Sequence, residues 1–144
     1  MNKLEILAVG RIKDSALRQL CDDYYRRSTG RFRLSESEFR TTSALERALD
    51  PRCFVVALDE TGEQLSSTRF AARLDAWSRQ DAFTRLAFVI GEADGLGQTL
   101  KQRANATLSL SPMTFGHRIA RVVLAEQLYR AISILEGSPY HREG

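Results

Sequence analysis

Histidine and cysteine occur only twice each in this chain, which removes most familiar catalytic and metal-binding chemistry. Cys21 and Cys53 lie far apart and inside apolar patterns, so they are expected as buried, reduced thiols rather than a disulfide or part of a metal site. His117 and His141 lack the spacing of a zinc-binding pair, and neither an H-E-x-x-H helix nor a G-x-S-x-G nucleophile elbow is present. Zinc-dependent and serine-nucleophile hydrolysis therefore drop out, and no metal is expected. Long apolar runs are missing too. No stretch approaches the ~20 residues that span a bilayer, and the opening MNKLEILAVGRIKD has neither the longer apolar segment nor the small-residue cleavage site of a signal peptide. A cytoplasmic protein with no membrane partner is the expectation. Internal repeats, low-complexity tracts and linkers are likewise absent, so residues 1–144 are expected to form one domain.

Lysine is scarce as well. Only Lys3, Lys13 and Lys101 accompany eighteen arginines, at a formal net charge of +3. Arginine's planar fork grips phosphate through paired hydrogen bonds and stacks on bases, which suits an RNA ligand; a GC-rich genome produces the same bias. In RRSTGRFR, Arg26, Arg27, Arg31 and Arg33 surround Phe32, joining phosphate-binding charge to a ring able to stack, although a solvated helix end is the simpler reading of the stretch alone.

What the chain does have is alternation. LEILAV is a strand-length apolar run closed by Gly10; Asp14 or Ser15 can then cap a helix carrying Leu17, Leu20, Cys21 and Tyr24. FRLSESEF reads as a second strand, and Ser43 with Glu46 as a capping box. CFVVALD is a buried strand ending at Asp59, followed by a helix over about 67–79, the apolar strand RLAFVIG, a short helix near 98–104 and the strand ATLSLS. A last helix starts near Phe115 to Arg118 and runs to about Leu135, stopped by Gly137 and Pro139. Strands alternating with helices predict an α/β sandwich on a mostly parallel sheet, whose ligands bind beyond the carboxyl ends of the strands. Three loops lie there: LDETG, GEADGLG and SPMTFGH. GEADGLG has neither dinucleotide-fingerprint nor P-loop spacing; its glycines permit close approach to a flat ligand, and a tight strand-to-helix turn explains them equally.

The last helix is apolar on more than one side. Ala120, Leu124, Leu128, Ala131, Ile132 and Leu135 form one arc, while Ile119, Val122, Val123, Tyr129 and Ile134 lie largely outside it. Two apolar sides need two partners, and a second copy of the chain around a two-fold axis is the expected one.

FVIGEADGL, followed by LSLSPMTFGHRIARVVLAEQLYRAISILEGSPYHREG, resembles the carboxyl-terminal signature of the ribosomal RNA large subunit methyltransferase H family, in the SPOUT class. LEILAVGRIKD and VVALDETG are similar to that family's first strand and third-strand loop, so the likeness spans nearly the whole chain. It implies a single-domain α/β SPOUT sandwich with a carboxyl-terminal trefoil knot, an obligate homodimer, S-adenosylmethionine as cofactor, and methylation of N3 of a pseudouridine in 23S ribosomal RNA on the assembled ribosome. By position, Leu58, Gly91, Ser111, Pro112, Met113, Thr114, Phe115 and Gly116 would line the cofactor site. His117, Tyr140, His141 and Arg142 would face the RNA as catalytic residues. The acceptor imide must lose a proton; Arg142 or His141 is the expected stabiliser of the charge that results, with His141 also the candidate base, and Tyr140 is expected to stack on a base. Family members commonly have Gly where Glu92 stands and Pro where Gly116 stands, and many are longer between the second strand and second helix, where they carry a basic stretch. A non-catalytic RNA-binding or ribosome-binding protein is the alternative, favoured by Glu92; a flavodoxin-like protein rests only on the alternation.

Overall fold

The computed structural model describes residues 1–140. Ten elements alternate along them: β1 (Lys3–Val9), α1 (Ser15–Arg27), β2 (Arg33–Phe39), α2 (Thr42–Arg47), β3 (Cys53–Gln64), α3 (Ser67–Ser78), β4 (Arg85–Ile90), α4 (Gln98–Arg103), β5 (Ala106–Ser109) and α5 (His117–Glu136). The strands form one sheet in the order β2-β1-β4-β3-β5, and every pairing is parallel. The expected α/β sandwich is the observed fold. Its central strands are continuous apolar runs because both faces of the sheet are covered. Ile6, Phe54, Val56 and Phe88 pack on one face with Phe70, Leu74 and Trp77 of α3 and Leu124 and Leu128 of α5; Leu7, Val55, Ala57 and Val89 pack on the other with Leu45 of α2 and Leu100 of α4. Helix α5 contacts both α1 and α3.

Local chemistry sets the helix starts. Asp14 caps α1, its carboxylate accepting from the Leu17 amide at 3.0 Å. Helix α2 is capped by Thr41, whose hydroxyl accepts from the Ala44 amide at 3.1 Å. The expected Ser43–Glu46 box does not form, because Ser43 already lies within the first turn. Strand β3 also outruns its expected end at Asp59: Leu58 and Glu63 both pair with Leu108, so the intervening residues loop out before pairing resumes along β5.

Phe32 is fully buried, with the Arg31 guanidinium 4.6 Å from its ring centroid and Arg31 ion-paired to Asp75 at 2.8 Å. Its ring therefore belongs to the core and is closed to a nucleobase. Both cysteines are free and buried, as expected. On α5, Leu124, Ala125, Leu128, Ala131 and Ile132 are buried, Val122, Val123, Tyr129 and Ile134 are half-buried, and Ile119 remains 47% exposed; Leu20 on α1 is 45% exposed. Among the described residues no helix is long and apolar enough to cross a membrane.

Candidate functional site

Parallel strands deliver the loops that follow them to one edge of the sheet. The loops after Leu58, Ile90 and Ser109 meet there around a cleft of about 550 Å³, and α5 begins at its rim with His117. Short-range hydrogen bonds shape the third loop: the Ser109 hydroxyl donates to the Ser111 carbonyl at 3.0 Å, and the Ser111 hydroxyl accepts from the Met113 amide at 2.9 Å. The Thr114 hydroxyl then donates to Glu60 at 2.9 Å, joining this loop to the one after Leu58. Asp59 accepts from the Thr61 hydroxyl and pairs with Lys101 at 3.1 Å. Hydrogen bonding from Thr61, with Lys101 added, outweighs partial burial and holds the Asp59 carboxyl below its ordinary range. In the second loop, the Gly95 amide donates to the Glu92 carbonyl at 2.8 Å, folding the glycine segment back on itself.

Of the positions singled out from sequence, Leu58, Gly91, Ser111, Met113, Thr114, Phe115, Gly116 and His117 all line this cleft. Pro112 is exposed and does not line it. Asp59, Glu60, Glu92, Asp94 and Lys101 also do; they sit in or beside the loops that alternation had already marked, which was the available signal. Tyr140 follows α5, a helix of 20 residues, in sequence. The chain turns back after Gly137, so Tyr140 lies against the side of α5 and does not line the cleft. The Tyr140 ring meets Tyr129 edge-on with centroids 4.7 Å apart, and its hydroxyl donates to Glu126 at 2.8 Å. Burial, together with hydrogen bonds to Tyr24 and Glu126, pushes its phenol well above the ordinary value. The half-buried ring thus packs on α5. His141 and Arg142 lie outside the described residues.

Outside the cleft lining lies a charged network that sequence reading had missed. Arg121 is fully buried; it lies 2.9 Å from Glu36 and 2.5 Å from Glu38, and donates to the Gly10 carbonyl at 3.1 Å. Arg18 joins the same carboxylates, at 2.5 and 3.1 Å, and the Tyr25 hydroxyl donates to Glu36 at 2.8 Å. Burial alone would raise the Glu38 carboxyl, but the Ile12 amide and the Arg121 and Arg18 guanidiniums outweigh it and hold it below its usual 4.5. A depressed folded-state value makes this contribution to stability complete above the unfolded-state value and lost as pH falls through the folded one. Thermal melts from pH 6 down to pH 3 are therefore expected to show a steep loss of Tm below about pH 4.5, and Glu38→Gln to lower Tm at neutral pH and flatten that loss. A Glu38→Gln melting curve of unchanged pH slope would show that the network is not what acid breaks. Among the described residues, no group of three or more metal-ligating side chains occurs.

Comparison with known proteins places the chain in a family and matches its fold. A family described as predicted SPOUT methyltransferase matches residues 2–141. The ribosomal RNA large subunit methyltransferase H of Synechococcus sp. (strain CC9605) is 45% identical over 146 residues, covering 97% of this chain and 96% of its own. That of Rhodospirillum centenum (strain ATCC 51521 / SW) is 42% identical over 151 residues, covering 97% and 99%. Among solved structures, a probable methylase family protein from Haemophilus influenzae Rd KW20 superposes with a TM-score of 0.60 at 13% identity, over 95% of this chain and 69% of that one. The SpoU methyltransferase AviRb from Streptomyces viridochromogenes, in complex with AdoMet, gives 0.51 at 16% identity, over 90% and 57%. At these identities the two structural likenesses are likenesses of fold.

Proposed function

Since the chain belongs to the ribosomal RNA large subunit methyltransferase H family of SPOUT methyltransferases, we propose that it methylates N3 of a pseudouridine in 23S ribosomal RNA, using S-adenosylmethionine and acting on the assembled 70S ribosome. The observation that carries this reading is the cleft itself. Residues scattered from Leu58 to His117, singled out as a cofactor and RNA site, converge on one wall system at the carboxyl edge of a parallel sheet.

The cleft's chemistry fits the donor. Its volume is in the range of small-molecule sites, and Ile90 and Leu108 give it an apolar floor for a flat base. Asp59, Glu60, Glu92 and Asp94 outnumber Lys101 and His117 around it, a balance suited to a cationic ligand. The first-turn amides of α5, which begins at Gly116 and His117, suit a carboxylate. When bound, the donor supplies an already activated methyl group on a sulfonium. The protein's task is orientation, and holding two reacting atoms in line is worth several kcal/mol, up to ~7–11 in the best cases. As the N–C bond forms at N3, the N3–H bond breaks. His141, whose ordinary value is ~6.5, takes that proton, and Arg142 stabilises the charge that develops on the imide. Tyr140, held by Glu126 and Tyr129, fixes the start of this tail.

Because Tyr140 packs on α5 and does not line the cleft of its own chain, the tail serves the cleft of a second copy. The partly exposed Ile119 of α5 and Leu20 of α1 offer apolar surface for a homodimer. The same reading takes the loops after β4 and β5, with α5, as a trefoil knot, and places the protein in the cytoplasm with its ribosomes. The test is transfer of labelled methyl to free 23S RNA, 50S subunits and 70S ribosomes, followed by mapping of the modified base. Incorporation into 70S particles at a pseudouridine N3 is expected. No incorporation into any of the three, with no donor binding by calorimetry, would replace the reading with a non-catalytic RNA-binding one.

A further inference from the structure

Arg121 is the largest fully buried side chain among the described residues, and the proposed reaction does not use it. Its guanidinium does not line the cleft. Through Nη1 it holds the Gly10 carbonyl, a residue 111 positions away, and through Nη2 it holds Glu38, which accepts from the Ile12 amide at 3.0 Å. The turn after β1 is thus fixed at both Gly10 and Ile12. Gly10 has φ +98, and a Cβ on it would stand 2.9 Å from Oε1 of Glu92. The Glu92 carboxylate therefore rests against the bare Cα of Gly10. Glu92 lines the cleft and has no ion-pair partner among the described residues, whereas Asp59 has Lys101.

We propose that Arg121 is a positioning residue for donor discrimination: through Gly10 it sets the seat of Glu92, and the seated carboxylate favours the cationic methyl donor over its neutral demethylated product. This rests on the reading of the cleft as a sulfonium-donor site. During transfer the methyl C–S bond breaks, its electron pair stays on sulfur, and the ligand loses its positive charge while the N3 proton leaves. A carboxylate without a cation of its own stabilises the ligand before that step and not after it, so product release is eased. A buried ion pair is a poor device for stability alone, since apolar residues of similar volume often do as well. A guanidinium fork reaching a carbonyl and two carboxylates at once is instead a device for geometry, and lysine cannot reproduce it.

Calorimetric titration of the full chain with S-adenosylmethionine and, separately, S-adenosylhomocysteine tests this. The unmodified protein is expected to bind the donor about tenfold more tightly than the product. Glu92→Gln and Arg121→Lys should each weaken donor binding by about that factor while shifting product binding less than about twofold, bringing the ratio near one. Gly10→Ala should also lower the ratio, and on a Glu92→Gly background should have no further effect on it, because the added methyl no longer meets a carboxylate. Equal changes in both affinities for Arg121→Lys would make Arg121 merely structural and overturn the proposal. Should that variant fail to fold, an equal effect of Gly10→Ala on the ratio with and without Glu92 overturns it instead. If the unmodified protein binds neither molecule, the reading of the cleft fails; if it binds both and Glu92→Gln leaves the ratio alone, only this inference does.

Discussion

Gly91→Ala is expected to abolish donor binding while leaving the protein folded. A Cβ at Gly91 would stand 2.6 Å from both the carbonyl carbon and the carbonyl oxygen of Gly95. These are backbone atoms, so no side-chain rotation relieves the clash. The turn closed by the Gly95 amide on the Glu92 carbonyl must open instead, and with it one wall of the cleft. Overpacking of this kind costs about 1–3 kcal/mol, which a domain of ordinary stability survives. Donor affinity should fall by more than about 100-fold, equivalent to about 2.7 kcal/mol. Gly116→Ala supplies the contrast, since a Cβ there would meet nothing within 4 Å, and it should cost far less. Calorimetry on both variants, with melting curves alongside, checks the pair. A Gly91→Ala protein that binds donor normally would mean the loop opens without touching the ligand.

Two inactive proteins should restore activity to one another. A chain lacking residues 141–144 keeps its cleft and loses the proposed proton acceptor, while Gly91→Ala keeps its tail and loses the cleft. Each alone is expected to fall below about 1% of the unmodified rate, the loss of an acid–base group being worth ~10²–10⁴-fold. In a heterodimer purified through two different tags, the intact cleft of one chain faces the intact tail of the other, and about half the unmodified rate per dimer should return, one composite site of two being whole. If the tail served its own cleft, the heterodimer would stay dead. The packing of Tyr140 against Glu126 and Tyr129, outside the cleft of its own chain, argues against that. Sedimentation showing a monomer at micromolar concentration would remove the basis for the experiment and for the composite site together.

Much of this was legible in the sequence. Apolar runs in β1, β3 and β4, the Asp14 cap and the stop at Gly137 are local signals, and local signals decide where elements begin and end. The continuation of β3 beyond Asp59 was not legible, because it depends on pairing with Leu108, some fifty residues later. Arg121 is more instructive. It precedes Leu124, Ala125 and Leu128 by three, four and seven residues, which puts it on the buried stripe. Periodicity thus marked its position, but a charge there is tolerable only because Glu36 and Glu38 arrive from β2, and that meeting is tertiary. The packing of Tyr140 was illegible for a related reason. Its partners Tyr129 and Glu126 lie about two and three turns back from the end of the helix it follows, and a chain reversal after Gly137 was needed to bring them together.

The position of α5 also constrains how the molecule can come into being. This helix packs on α1 and α3 and carries Leu124, Leu128 and Ile132 into the core, yet it is made after everything else described. Until it arrives, the trough between α1 and α3 stands open, with Phe88 and Ile6 beneath it. The contact between Arg121 and Gly10 closes nearly the whole chain into a loop, the kind of long-range closure that slows folding. A growing chain therefore carries a bare apolar trough from the completion of β4 at Ile90 until α5 is made, and completes its cleft only when that helix seats. Aggregation and chaperone capture are expected to concentrate in that interval.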